Sequence, residues 1–207
     1  MSDLAQIAQQ IRVCTRCGLA GGRTHAVPGE GPAQAEIMLI GEGPGFHEDQ
    51  QGRPFVGPSG QFLTELLEQA GYRRDQVFIT NVVKCRPPGN RDPLPEEIEA
   101  CAHYLDQQIA LINPKVIITL GRFSMARWFP GQKISAIHGK AKYVDGRIVV
   151  AMFHPAAALH QRALRGLIEE DFRRLPAIIK AAQAEHDASS APPTQPSSSA
   201  GEQLSLF

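Results

Sequence analysis

The pattern that most narrows the folds open to this chain is a set of short apolar runs, each cut off by a residue that strands seldom run through. Glu36-Ile37-Met38-Leu39-Ile40 stops at Gly41, and the run from Gln76 stops at Asn81. Lys115 to Leu120 stops at Gly121, and Arg147 to Phe153 stops at His154-Pro155. Runs of this length that are apolar on both faces suit buried strands. Between them the periodicity turns helical. Phe62, Leu63, Leu66, Leu67 and Ala70 recur on one face before Gly71, and Ile98, Cys101, Ala102, Leu105, Ile109 and Ile112 share another. A short helix is expected over residues 3–13 and a final helix from about Arg162 to Ala182. Strands alternating with helices predict a three-layer α/β/α domain around a four-stranded parallel sheet. In such a sheet ligands bind beyond the carboxyl ends of the strands. Gly41-Glu42-Gly43-Pro44-Gly45, Thr80-Asn81 and Phe153-His154-Pro155 would then meet at one edge, although they are far apart in sequence. Residues 41–60, rich in glycine and proline, read as a long ordered loop, and loops of that length in compact domains usually carry function.

Composition excludes several classes. Hydrophobic residues make up 43% and charged residues 20%, enough to build a core and too apolar for global disorder. No run reaches the roughly 18 apolar residues of a membrane span. Met1-Ser2-Asp3-Leu4-Ala5-Gln6 lacks the basic and apolar regions of a signal peptide, so the expectation is a soluble, cytoplasmic protein with no membrane partner and with reduced thiols. Basic and acidic residues balance at 21 each, but Glu185, Asp187 and Glu202 are the only such charges in the last 27 residues, which leaves residues 1–180 at +3. That permits nucleic-acid binding without arguing for it.

The cysteines follow the pattern C-x2-C at Cys14 and Cys17, then C-x15-C at Cys85 and Cys101. Four thiols complete a tetrahedral or cubane metal site. Zinc ribbons usually use two tight pairs, and only one pair is tight here; spacing leaves zinc, iron–sulfur, and a redox pair plus two core cysteines open. His154 and Asn81 each end a strand. An asparagine amide there offers one donor and one acceptor edge to a planar heterocycle, whereas a turn asparagine explains it equally well. Glu42 stands between glycines in an open loop. Phe55, in Gly52-Arg53-Pro54-Phe55-Val56-Gly57, is an aromatic that neither helix nor strand periodicity explains, and a flat ligand could stack on it. A phosphate-loop reading of residues 41–45 fails for want of a Gly-Lys-Ser/Thr ending.

Taken together, residues 41–45, Glu48-Asp49, residues 52–57, Thr80-Asn81-Val82-Val83-Lys84-Cys85-Arg86-Pro87-Pro88 and His154-Pro155 closely resemble the family 4 uracil-DNA glycosylases, the iron–sulfur branch of that superfamily. The resemblance spans about residues 10–180 and includes all four cysteines. It implies a 4Fe–4S cluster on Cys14, Cys17, Cys85 and Cys101, and removal of uracil from uracil-containing DNA. Phe55 is then expected to stack on a flipped uracil, Asn81 to read its O4 and N3–H edge, His154 to donate toward O2, and Glu42 to position water and stabilise a cationic sugar. Loop N–H groups would assist His154 at O2, as in an oxyanion hole, with Gly41 and Gly43 among the substrate-binding residues. Ser59, Arg86, Asn90, Arg91 and Arg162 are candidate DNA contacts, and Leu159 a candidate wedge for the vacated stack; solvated loop charge and helix packing explain these residues nearly as well. Some branches carry serine after the His-Pro, where this chain has Ala156. A DNA-cross-linking relative has glutamine in place of Glu42 and an extra basic loop, neither present here, so hydrolysis is favoured over the alternative of a non-catalytic or cross-linking uracil-DNA binding protein.

The chain changes character near its end. Residues 187–202 hold 11 Ser, Pro and Ala in 16 positions, the composition of a disordered linker. The expected layout is a catalytic domain over 1–182, a linker over 183–202, and Gln203-Leu204-Ser205-Leu206-Phe207. This last segment looks like the pentapeptide by which bacterial DNA polymerases and repair proteins dock on the replicative sliding clamp. A monomer is expected.

Overall fold

A computed structural model describes residues 3–190. The pentapeptide at 203–207 and the linker beyond Ser190 lie outside the described residues. In chain order the elements are α1 (Leu4–Val13), β1 (Ile37–Gly41), α2 (Phe46–Gln51), α3 (Pro58–Gln69), β2 (Phe78–Asn81), α4 (Pro95–Ile112), β3 (Val116–Leu120), α5 (Arg122–Met125), α6 (Ile134–Ile137), β4 (Lys140–Val144), β5 (Arg147–Met152), α7 (Ala156–His160) and α8 (Arg165–Ser190). Among the described residues no helix is long and apolar enough to cross a membrane.

The sheet has five strands in the order β2-β1-β3-β5-β4. Strands β1, β2, β3 and β5 are mutually parallel, as the apolar runs predict. The expectation of four strands is corrected by β4, which pairs antiparallel with β5 at the edge. Its cause is a two-residue turn at Asp145-Gly146, where both residues have positive φ (50° and 77°) and Val144 faces Arg147. An Asp-Gly pair suits this hairpin because both central residues must adopt a left-handed backbone. Lysines at 140 and 142 on half-exposed β4 discourage further pairing at this edge.

Alternation along the strands sends side chains to two separate cores. Met38, Ile40, Ile117, Val149 and Ala151 pack with Ile7 and Ile11 of α1 and Leu105, Ile109 and Ile112 of α4. Leu39, Ile118, Leu120, Val150 and Met152 pack with Phe62, Leu63, Leu66 and Leu67 of α3 and Ile168, Phe172 and Leu175 of α8. Helices therefore cover both faces, and the three-layer architecture holds.

Two local readings change. The loop expected over 41–60 contains α2 and the first turn of α3, which starts at Pro58, a proline suited to the first helical position. The last helix, expected from about Arg162 to Ala182, begins with a 3-10 turn at Arg162–Leu164 and continues as α8 to Ser190, and a separate short helix, α7, precedes it. Residues 183–190, expected as linker, are helical.

Candidate active site

Parallel strands end at the same edge, and the register seats Gly41 directly opposite Asn81. The chain crosses between them, with the N–H of Val82 donating to the Gly41 carbonyl (3.0 Å) and that of Val83 to the Glu42 carbonyl (3.1 Å). On the other side β3 and β5 end together, the Gly121 N–H donating to Met152 O (2.8 Å). Gly121 has φ +88°, and a Cβ there would press on the His154 Cβ at 3.1 Å. Backbone geometry alone thus delivers Glu42, Asn81 and His154 to one cleft of about 440 Å³, whose wall also includes Phe55.

Asn81 is 1% exposed, and its Oδ1 is buried without a hydrogen-bond partner. An orphaned acceptor of this kind costs about 1–3 kcal/mol unless a ligand satisfies it. The space above it exists because residue 41 is glycine: a Cβ there would collide with Asn81 Oδ1 and lie 2.7 Å from Phe55 Cζ. At Gly43 a Cβ would lie 2.7 Å from Val83 Cγ2. These two glycines leave the room that side chains would fill.

Phe55 is 5% exposed and adopts φ +50°, a conformation that L-residues hold only when their surroundings enforce it. Two features enforce it. A Cβ on Gly60 would overlap the Phe55 carbonyl, so the loop can lie on the first turn of α3 only because that residue is glycine. The buried Glu48 carboxylate accepts from the N–H groups of Gly45 (3.1 Å), Val56 (2.9 Å) and Gly57 (2.8 Å), which staples the Glu42 loop to the Phe55 loop. Glu48 enters the sequence reading only as part of a motif, with no role given to its side chain. Its signal is its place three residues after Gly45, where a glutamate closes back on a helix start.

His154 is half-buried on the cleft wall, its ring 5.5 Å from that of Phe55 and tilted by 27°. The Ala156 N–H donates to Nδ1 (3.1 Å), so the single proton of the neutral ring sits on Nε2. Burial pulls the imidazole pKa down to about 4, against a weaker opposing pull from the Glu48 charge. His154 is therefore a neutral N–H donor across the physiological range. Glu42 behaves in the opposite sense: burial first, then the negative charge of Asp92, raise its pKa above the ordinary carboxylate value, while Arg122 opposes them. Arg122 itself pairs with Asp92.

Of the expected DNA contacts, Ser59, Asn90 and Arg91 line the cleft. Arg86 lies beside it, donating to Asn90 Oδ1 (2.7 Å) and resting 5.2 Å over the Phe46 ring. Arg91 is not a free cation; it forks onto Glu97 (2.9 and 2.7 Å). Leu159 is 47% exposed on α7, whose Ala156 and His160 line the cleft, and Arg162 follows in the next turn. Neither residue lines the cleft itself.

The four cysteines gather behind the site around a second cavity, and all are free thiols. Cys14 and Cys17 follow α1, Cys85 lies four residues past Asn81, and Cys101 is on α4. Arg23 binds the group from one side: Nη1 donates to Cys85 Sγ (3.2 Å) and to the Cys14 carbonyl (2.7 Å), and Nη2 to the Arg12 carbonyl (3.0 Å). Among the described residues no three His, Cys, Asp or Glu side chains close on a single metal-ion position. The sulfurs surround a cavity instead.

Residues 28–175 match the model of the uracil DNA glycosylase superfamily. The chain is 50% identical over 185 residues to the Type-4 uracil-DNA glycosylase of Sulfurisphaera tokodaii, covering 84% of each chain. It is 44% identical over 179 residues to that of Thermotoga maritima, covering 84% of this chain and 93% of the relative. Over 184 residues it is 45% identical to that of Archaeoglobus fulgidus, covering 84% and 92%.

Proposed function

The chain belongs to the Type-4 uracil-DNA glycosylases of the uracil DNA glycosylase superfamily, and from that membership we propose how its cleft performs the reaction. The enzyme hydrolyses the N-glycosidic bond of uracil in DNA and leaves an abasic site, the opening step of base excision repair. The observation that carries the residue assignment is the buried, unpartnered Asn81 Oδ1 above Gly41.

The glycosidic bond lies inside the duplex, so the nucleotide leaves the stack first, at a cost of a few kcal/mol. Asn81 Oδ1 accepts from uracil N3–H while Nδ2 donates to O4. Cytosine presents the reverse polarity at both positions and leaves buried groups unpaired, which is how a rigid polar site discriminates strongly. Phe55 stacks on the base. As the bond to the sugar breaks, negative charge collects on the base, and the Nε2–H of His154 meets it at O2, a donor already oriented by Ala156. The sugar becomes cationic; the Glu42 carboxylate stabilises it and positions the attacking water. Ser59, Arg86, Asn90, Arg91 and Arg162 contact the phosphates in this reading, and Leu159 enters the vacated stack.

The two opposed pKa shifts set the pH dependence. His154 stays neutral above about pH 4, so it adds no acid limb near neutrality. Glu42 acts as a carboxylate and its pKa is raised, so the rate is complete above that pKa and falls as pH drops through it, at a pH above the ordinary carboxylate value. Single-turnover cleavage of a uracil-containing duplex across pH 4–9 should show this limb in the wild type. In Glu42→Gln it should be absent, over a rate lower by about 10²-fold. An unchanged profile in the variant would reject the role.

We assign a 4Fe–4S cluster to Cys14, Cys17, Cys85 and Cys101. Supporting this are the four thiols around one cavity and the guanidinium of Arg23 on a sulfur. Such a cluster would supply a cross-link between the N-terminal segment, the end of β2 and α4. The purified protein should be yellow-brown with about four irons per chain. Replacing Cys85 or Cys101 should reduce solubility before it alters chemistry. One zinc and no iron would overturn the assignment.

Gln203–Phe207 is assigned to a sliding clamp. Burying Leu204, Leu206 and Phe207 at roughly 1.5–3 kcal/mol each, less a few kcal/mol for ordering the peptide, suits weak, exchangeable binding. A chain ending at Glu202 should cleave free uracil-DNA normally and lose clamp binding in a pull-down; equal binding by both chains sinks the assignment. The reduced thiols such a cluster needs suit the cytoplasm.

A further inference from the structure

Lys84 is 1% exposed and is the one charged residue among the largest fully buried side chains of the described residues, yet the reaction described above makes no use of it. Its three hydrogens go to three neutral oxygens: Thr80 Oγ1 (2.7 Å), the Asn81 carbonyl (2.8 Å) and Gln108 Oε1 (2.7 Å). This layer is braced from behind, because Gln108 Nε2 (2.6 Å) and Thr80 Oγ1 (3.1 Å) both donate to the Pro28 carbonyl. The Lys84 carbonyl accepts from the Val27 N–H (2.7 Å). Lys84 also lines the cavity of the four cysteines, and its charge acts on Cys101 there. A buried ammonium surrounded by neutral dipoles is expensive unless negative charge lies close by. A methionine of similar length would fill the same space without that cost. The cysteine cavity offers the missing charge, since metal-ligating thiols are thiolates, and Arg23 already supplies a cation at Cys85.

We propose that Lys84 is a positioning residue linking the cysteine cavity to the base pocket: its ammonium, held in the interior by thiolate charge, pins the Asn81 carbonyl and thereby fixes the direction of the Asn81 amide. The link is short, because Asn81, Lys84 and Cys85 lie within five consecutive residues. This inference rests on Asn81 reading the base and on the four cysteines holding the cluster.

Lys84→Met, Thr80→Val and Asn81→Ala, each as the iron-loaded full chain, separate the alternatives. The primary readout is the ratio of affinities for two duplexes, one carrying 2′-fluorinated deoxyuridine, which resists cleavage, and one without uracil. Lys84→Met should lower that ratio roughly tenfold to a hundredfold, the range for a lost hydrogen bond to a charged group, with uracil-free DNA bound as before. Thr80→Val, which keeps the shape but removes one acceptor of Lys84 together with the donor to the Pro28 carbonyl, should lower it less. Iron release to a chelator should be severalfold faster from Lys84→Met than from wild type. An unchanged affinity ratio, or an unchanged rate of iron release, overturns the proposal. If Lys84→Met does not fold, Thr80→Val decides: a lowered ratio supports the proposal and an unchanged one overturns it. Asn81→Ala guards the premise. If it leaves the ratio intact, the assignment of Asn81 has failed; if it abolishes the ratio while the other two variants keep it, only the role of Lys84 has failed.

Discussion

Asn81→Ala is expected to slow uracil release roughly 10²–10³-fold in single turnover and to remove most of the discrimination against cytosine. The magnitude follows from burial. Asn81 is almost wholly enclosed, and its Oδ1 has no protein partner. A flipped uracil therefore satisfies the amide in the wild type, whereas in the variant its own N3–H and O4 enter the pocket unpaired. Water is a poor substitute so close to Phe55 and Gly41. Affinity for uracil-free duplex should not change, because phosphate contacts carry it. Paired measurements of cleavage and of uracil-free binding test this. A rate within a fewfold of wild type, with base choice retained, would show that the amide is a strand-end residue and nothing more.

His154→Ala is expected to cost on the order of 10²–10³ in the single-turnover rate, the usual loss for one preorganised donor at a developing anion. Here the donor is prepared in two ways. The Ala156 N–H fixes the tautomer, and burial keeps the ring neutral to about pH 4. A neutral N–H needs no proton from solvent, so the defect should be the same at pH 6 and pH 9. Uracil affinity should fall much less than the rate, because the interaction strengthens only as charge builds on O2. A defect that shrinks severalfold across that pH span would indicate that a titrating imidazolium, and not a fixed neutral donor, does the work. Full activity would remove His154 from the mechanism.

How much of this was legible along the chain depended on the kind of interaction involved. The parallel strands and both covering layers could be read from apolar runs and helical periodicity, since burial of a strand on both faces leaves a compositional mark. So could the convergence of Glu42, Asn81 and His154, which follows from parallel topology alone. The helical extension to Ser190 was hidden because alanine, glutamate and glutamine with scattered serines look alike in a linker and in the last turns of a solvated helix. Strand β4 was missed although its Asp-Gly turn is a legible hairpin signal; Lys140-Ala-Lys-Tyr-Val at a sheet edge lacks the apolar density that marks the central strands.

The sequence by itself determined the layer architecture, the residues that meet at the carboxyl edge of the sheet and the four thiols, because each depends on local pattern or on topology. Only the tertiary structure decided which polar groups are satisfied. That Glu48 staples two loops, that Ala156 assigns the His154 tautomer, that Asn81 Oδ1 is left free and that Lys84 is buried beneath it are facts about desolvated contacts between segments up to dozens of residues apart. A hydrogen-bond partner leaves no periodic trace in a chain. Its energetic weight comes from the exclusion of water, and that exclusion exists only once the layers have closed.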